Sequence, residues 1–450
     1  MKKVLLCFSL SFSVFASLQA CAQTWVNVGT PGFSAGRVSF TTIAIDSSGT
    51  PYVAYSDSAN GGKATVMKYN GSNWINVGIP GFSASYAGSV FMTIDGSGTP
   101  YVVYADGGDS EKTTVMKYNG SSWVNVGSAG FSSGVVGYTT IAIDSSGTPY
   151  VAYEDNGDSN TNKATVMKYN GSNWVTVGSA EFSESIAVGT YIAIDRTGIP
   201  YVVYDDYAHS VEATVMKYNG SSWVTVGSPG FCGGVAPYAS TMAIDVNDTP
   251  YVVCGDRANG YKATVMKYNG SSWVTVGSPG FSAGEIGYSA IALDNSGMPY
   301  VVYLDTINAW KATVMKYNGS SWVLVGSAGF SAGQVQYTNI AIGAGGTPYV
   351  VYTDWGNSGK ATVMKFEAST EVKNFVANKN ITIFPNPTTT SLTISASDKI
   401  NTIAISNLLG QTVYSNMYNS SQVQVNVADL PKGMYLIKVN GSEVRKFVKE

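Results

Sequence analysis

Up to Phe366, short runs of β-branched and aromatic residues are interrupted every few positions by Gly, Asn, Asp or Pro. In the first complete unit these runs cover residues 41–46, 51–55, 63–69 and 74–77. Their richness in Val, Ile, Thr and Tyr over so few residues predicts strands. Asp46-Ser47-Ser48-Gly49-Thr50-Pro51 supplies turn chemistry between the first two, and Asn70-Gly71-Ser72 a hairpin turn between the last two. Gly and Asn tolerate the positive φ that such turns need. Each unit is therefore expected to be a four-stranded antiparallel meander.

The unit is written seven times. Its tryptophan recurs at Trp25, Trp74, Trp123, Trp174, Trp223, Trp273 and Trp322, at spacings of 49 to 51 residues, and a fixed period near ~40 to 50 points to a propeller. The ends carry a further signal. The Met-Lys-Tyr strand of units one to six is followed by a Trp strand, but residues 361–366 have none after them, and residues 25–28 have no Met-Lys strand before them. Each would be an unpaired edge, which sheets avoid. Pairing the two closes seven blades into a ring and resembles the closing clasp of many β-propellers. The predicted fold class is all-β: a seven-bladed β-propeller over residues 23–366 followed by a small C-terminal β-sandwich.

By analogy with propeller topology, the Ile-Ala-Ile-Asp strand is innermost and the Trp strand outermost. The turns of constant length then share one face. The other face carries the segment after each Gly-Phe and the connection between second and third strands, which vary most among units. Variation beside a fixed scaffold marks the expected binding face.

Composition narrows the class. At 450 residues and 44% hydrophobic the chain is globular. Charged residues make up 12%, about half the usual ~25%. A net charge of −3 and no Lys/Arg run longer than two residues remove the basic footprint of a nucleic-acid binder. Lys2 and Lys3, an apolar run over residues 4–15 and Ala20-Cys21-Ala22 read as a signal peptide over residues 1–22, cleaved between Ala22 and Gln23. Leu18-Gln19-Ala20-Cys21 offers a second, lipoprotein-type reading in which Cys21 is lipidated, with Gln19 a poor fit. No later stretch reaches the ~18 to 20 apolar residues of a membrane span, so none is expected in the mature chain. Cys232 and Cys254 both replace otherwise regular residues of one unit. A disulfide is the simplest account in an oxidising compartment, with two separate thiols as the alternative.

After Phe366 the repeat stops, and residues 367–379 read as a polar linker. Residues 380–450 contain Ile383-Phe384-Pro385-Asn386-Pro387, then Ile405-Ser406-Asn407-Leu408-Leu409-Gly410-Gln411, then Pro431-Lys432-Gly433-Met434-Tyr435-Leu436. In content and order this resembles the C-terminal sorting domain of the bacterial type IX secretion system. Pro385, Asn386, Pro387, Gly410, Gly433 and Tyr435 carry the resemblance. It implies export through the outer membrane of a Gram-negative cell by that machinery, to the surface or the medium. Strands alternating between Gly and Pro turns agree with a small β-sandwich.

An Asp closes the second strand in all seven units, from Asp57 to Asp354, and six units place a Lys at the far end of the same connection, as at Lys63. A local Asp to Lys pair is the simpler expectation than a ring of cation-binding carboxylates. Unit four departs, with Asp205, Asp206, His209 and Glu212 offering donors for a divalent metal. In unit three, Asp155, Asp158, Asn160 and Asn162 alternate oxygens as calcium loops do, but Lys163 stands where that pattern wants Gly. No cofactor is required, and Ca²⁺ is the one candidate. Tyr207, Tyr261, Trp310 and Trp355 fall in the variable connections of four adjacent units, a stacking surface for sugar rings or aromatic side chains. The Asn-Gly-Ser triplets follow from the hairpin turns and are not read as glycosylation sites.

One His and no nucleophile beside a base leave little room for catalysis. The expectation is a secreted or surface-displayed binding propeller for glycans. A protein-binding scaffold is the alternative, and a carboxylate-based glycan hydrolase or lyase using the unit-four loop the least favoured.

Overall fold

The structure is a computed structural model that describes residues 23–157, 161–233, 240–368, 381–407, 412–440 and 443–450. The signal peptide, Asp158, Asn160 and Gly410 thus lie outside the described residues. The chain divides into two compact units after Ala368.

The first unit is a seven-bladed β-propeller. Each blade is a four-stranded antiparallel sheet; in blades one to six the strands follow chain order from inside to outside, whereas the outermost strand of blade seven is the first strand of the chain. In blade one these are Val38–Ile45, Pro51–Asp57, Lys63–Tyr69 and Trp74–Asn76. Four bounds differ from the sequence expectation, two of them only by one residue, at Ile45 and Asn76. The second strand runs on to Asp57, and the inner strand begins at Val38, three residues early, because its register against the second strand shifts between Ser39 and Thr42. That bulge breaks the period-two pattern and hides the first half of the strand. The same shift recurs in blades two, three, four, six and seven.

Second strands are buried on both faces, so they read as continuous apolar runs rather than alternating ones. Tyr52 and Ala54 pack with Val102 and Tyr104 of blade two, while Val53 and Tyr55 pack with Val351 and Val363 of blade seven. The frame tryptophans lock each junction. Trp74 Nε1–H donates to the Val28 carbonyl at 2.6 Å, and its indole stacks on Phe33 with ring centroids 4.3 Å apart.

Closure follows the expected route. Gln23–Asn27 pairs antiparallel with Lys360–Ala368, placing Trp25 opposite Phe366. Trp25 donates to the Val325 carbonyl at 2.7 Å and stacks on Phe330 at 4.2 Å, so the closing junction repeats the internal ones. Because Gln23 and Thr24 supply partners for Ala368 and Glu367, the strand extends two residues into the segment read as linker.

The second unit holds five strands: Ile381–Phe384, Ser391–Ser406, Thr412–Asn426, Gly433–Val439 and Glu443–Lys449. The long Ser391–Ser406 strand pairs with the first of these near its start and with Gly433–Val439 near its end, so both halves close over one core that includes Leu392, Ile405, Ile437 and Phe447.

Substituting Trp25→Ala removes an indole that serves only ring closure, at a cost of about 3 to 5 kcal/mol. Thermal denaturation is expected to show a drop in Tm at least as large as that for Trp123→Ala at an internal junction; an unchanged Tm would contradict closure through this strand.

Candidate functional site

The connection between second and third strands forms a short turn on the variable face, and the closing Asp builds it. Asp57 is 1% exposed. Its carboxylate accepts from the Ala59 amide at 3.0 Å, the Asn60 side-chain amide at 2.8 Å and the Thr65 hydroxyl at 3.3 Å. Asp354 does the same with Gly356, Asn357 and Thr362. The expected Asp to Lys ion pair is therefore not made: Asp57 and Lys63 are partners in backbone register only, and the carboxylate oxygens are already taken. Among the described residues the ion pairs are His209 with Asp206 and Lys365 with Glu367.

The unit-four donors do not converge. Asp205 and Asp206 are successive strand residues and point to opposite faces. Asp206 caps its turn through the Ala208 amide and accepts from Thr214 at 2.9 Å. His209 Nδ1 lies 3.0 Å from the same carboxylate, in the place that Asn60 fills in blade one. Asp205 instead accepts from the Ser240 hydroxyl of blade five at 2.8 Å. Glu212 lies opposite Asp206 in register. In unit three, Asp155 accepts from Thr165 and Ser133, and the Asn162 carbonyl accepts from the Ala187 amide. Among the described residues no three His, Cys, Asp or Glu side chains group as metal ligands do.

The four aromatics occupy two positions of the turn. Tyr207 and Trp355 open it; Tyr261 and Trp310 end it, at φ 57° and 64°. Trp310 is 51% exposed and Trp355 40%, whereas Trp25, Trp74 and Trp123 of the frame are buried. The Arg37 guanidinium of blade one lies 4.4 Å over the Trp355 ring.

A second group of aromatics escaped the sequence reading. The inner-strand bulge puts Phe40, Tyr138, Tyr288 and Tyr337 at positive φ, and all four line a cavity of about 480 Å³ among the inner strands. Phe40 and Tyr288 each stand 5.0 Å from Tyr337, centroid to centroid, giving an aromatic arc on blades six, seven and one. The available signal was a position that varies from unit to unit immediately before a near-constant strand.

Two carboxyls flank this cavity. Glu154 lies against Gly137, where an added Cβ would come within 3.2 Å of its Oε2, and Gly137 and Ser240 both line the cavity. Burial pushes the Glu154 carboxyl up to about 7. Burial also raises Asp205 to about 6, against the lowering effect of the Ser240 hydroxyl and amide.

Elsewhere, Cys232 and Cys254 are joined by a disulfide with Cα atoms 6.3 Å apart. In the tail, Pro385 and Pro387 follow cis peptide bonds, and the Asn386 side chain between them accepts from the Val448 amide at 2.9 Å. Gly433 opens its strand, and the buried Tyr435 donates its hydroxyl to the Pro431 carbonyl at 2.9 Å.

Residues 382–450 match the family model of the secretion system C-terminal sorting domain. The chain thus carries a type IX sorting tail that engages the secretion machinery, and the protein is secreted or cell-surface, exported via the outer membrane. No curated protein matches the chain. Among solved structures it is similar to the BP39L lectin from Burkholderia pseudomallei, at 13% identity and TM-score 0.53 over 74% of this chain and 97% of that one. It is also similar to PorZ, a surface component of the type IX secretion system of Porphyromonas gingivalis, at 14% identity and TM-score 0.46 over 89% of this chain; it spans 58% of PorZ. A polysaccharide lyase, ulvan lyase, follows at 12% identity and TM-score 0.47, over 74% of this chain and 94% of that one. At these identities the likeness is one of fold.

The raised Glu154 carboxyl gives a signed pH effect. The folded chain retains a proton there that the unfolded chain has lost, so this group's contribution is fully present below the ordinary carboxyl range and disappears as pH rises through about 7. Glu154→Gln removes the cost of ionising it. The variant is expected to melt above the wild type at about pH 8 and level with it by about pH 4. A gap independent of pH would contradict the assignment.

Proposed function

We propose that the propeller is a glycan-binding module presented outside the cell, and that sugar rings dock on the face carrying the Asp-capped turns. The observation that carries this reading is the placement of aromatic surface on blades six, seven and one. Trp310 and Trp355 keep large indole areas in water while the frame spends its other tryptophans on packing, and the axial arc of Phe40, Tyr288 and Tyr337 belongs to the same three blades. Flat apolar rings beside a few polar groups are the usual make-up of a small-ligand site. Arg37, stacked on Trp355, holds that ring in place and offers hydrogen-bond donors at its edge. Tyr207 and Tyr261 extend the aromatic surface to blades four and five. The turn carboxylates take no part, because each Asp with described contacts is spent on its own turn.

A glycan array probed with the purified mature chain tests the ligand class. Binding is expected, and Trp310→Ala and Trp355→Ala are each expected to weaken it by about tenfold, the scale of an aromatic anchor. Wild-type affinity in both variants would overturn the choice of face, and silence across the array would overturn the choice of ligand in favour of a protein partner.

A further inference from the structure

The face opposite the Asp-capped turns repeats one groove at successive blade junctions. Between blades one and two, Tyr52 and Lys68 meet Thr99, Pro100 and Lys117 around a cleft of about 350 Å³. Between blades seven and one, Tyr349 and Lys365 meet Thr50, Pro51 and Lys68 around about 410 Å³. Between blades six and seven, Tyr300 and Lys316 meet Thr347 and Pro348 around about 430 Å³. The Tyr, Lys, Thr and Pro of the same strand positions recur in all three, while the third lacks the next blade's lysine and is lined by Glu367 as well.

The lysine and the tyrosine recur in all seven units, from Lys68 and Tyr52 to Lys365 and Tyr349. They are cross-strand neighbours, and in five blades the ammonium lies 5.7 to 5.9 Å over the ring centroid. Chain-wide charge is scarce, yet this partly exposed cation is kept in every unit while the opposite face diversifies. Ion pairing does not explain it. Among the described residues Lys365 alone of the seven has a carboxylate partner, Glu367 at 2.7 Å. The nearby turn aspartates make no ion pair with these lysines: Asp46 Oδ1 accepts from the Ser48 and Thr50 amides, both at 2.9 Å, and Asp95, Asp144, Asp195, Asp245 and Asp294 repeat this, while burial and then the neighbouring Asp46 carboxylate raise the Tyr52 hydroxyl above its ordinary value.

We propose that these junctions form a ring of equivalent subsites for an acidic polysaccharide, each holding one carboxylate- or sulfate-bearing sugar. The ammonium group meets the anion, and the tyrosine and proline rings offer flat apolar surface to the sugar. Sites repeated at even intervals suit a polymer whose charges are also repeated, because the second and later contacts are intramolecular and gain from effective concentration. This inference is independent of the ligand face proposed above and uses none of its residues.

The test is binding of the full mature chain to immobilised polygalacturonate and to dextran sulfate, with neutral dextran as reference. Binding to at least one acidic polymer, weakened by added salt, is expected; which of the two it is distinguishes carboxylate from sulfate recognition. Lys68→Gln/Lys117→Gln/Lys168→Gln should lose about tenfold or more in affinity through lost multivalency. Lys63→Gln/Lys112→Gln/Lys163→Gln, the same charge change on the opposite face, should bind as the wild type, and matching melting curves would show that both variants fold. Trp310→Ala should also bind the acidic polymer normally, which separates this proposal from the other. No preference for either acidic polymer over dextran, or equal losses in the two lysine triples, would overturn it.

Discussion

The structure depends on one contact made seven times: an indole N–H donating to a valine carbonyl of the preceding blade, with the indole stacked on a Phe five residues after that valine. It appears as Trp74 on Val28 and Phe33, and as Trp25 on Val325 and Phe330. A buried indole must place its N–H on an acceptor, so the contact fixes the angle between neighbouring blades as well as burying area. Because the closing junction has the same chemistry as the others, the ring needs no special latch. It needs only that the first strand of the chain arrive at the last blade.

Most of this was legible in the sequence, for a physical reason. Period, turn residues and the unpaired ends are local or arithmetic properties, and they led to seven blades and to the pairing of the first strand with the last blade. What the sequence hid was tertiary. The bulge after Ser39 masks the start of the inner strand, so Phe40, Tyr138, Tyr288 and Tyr337 drew no reading from the sequence although they line the axial cavity. Lys63 looked like the natural partner of Asp57. No spacing argument reveals that Asn60 and Thr65 reach that carboxylate first. Likewise Asp205 and Asp206 looked like one cluster until strand alternation sent them to different neighbours.

The two faces then divide the chemistry. On one, an Asp closes the described turns, buried in every unit but the fifth, where Asp256 is half-buried, and each is free to vary what it displays, which is how Trp310 and Trp355 come to face water without disturbing the frame. On the other, the units hold lysine and tyrosine constant beside the proline of the next blade. A scaffold in which each blade is fixed by its own tryptophan permits both, since a change at a turn tip does not propagate to the neighbouring junction. The sorting tail takes this propeller out of the cell.

The central claim, that the N-terminal strand completes the last blade, is tested most directly by native-state hydrogen exchange along residues 360–368. If the ring is closed, the amides of 364–367 are protected to the same degree as those of the internal strand Lys112–Tyr118, and protection of both is lost together on global unfolding. Exchange at 364–367 on the timescale of a free sheet edge, with Lys112–Tyr118 still protected, would contradict the account.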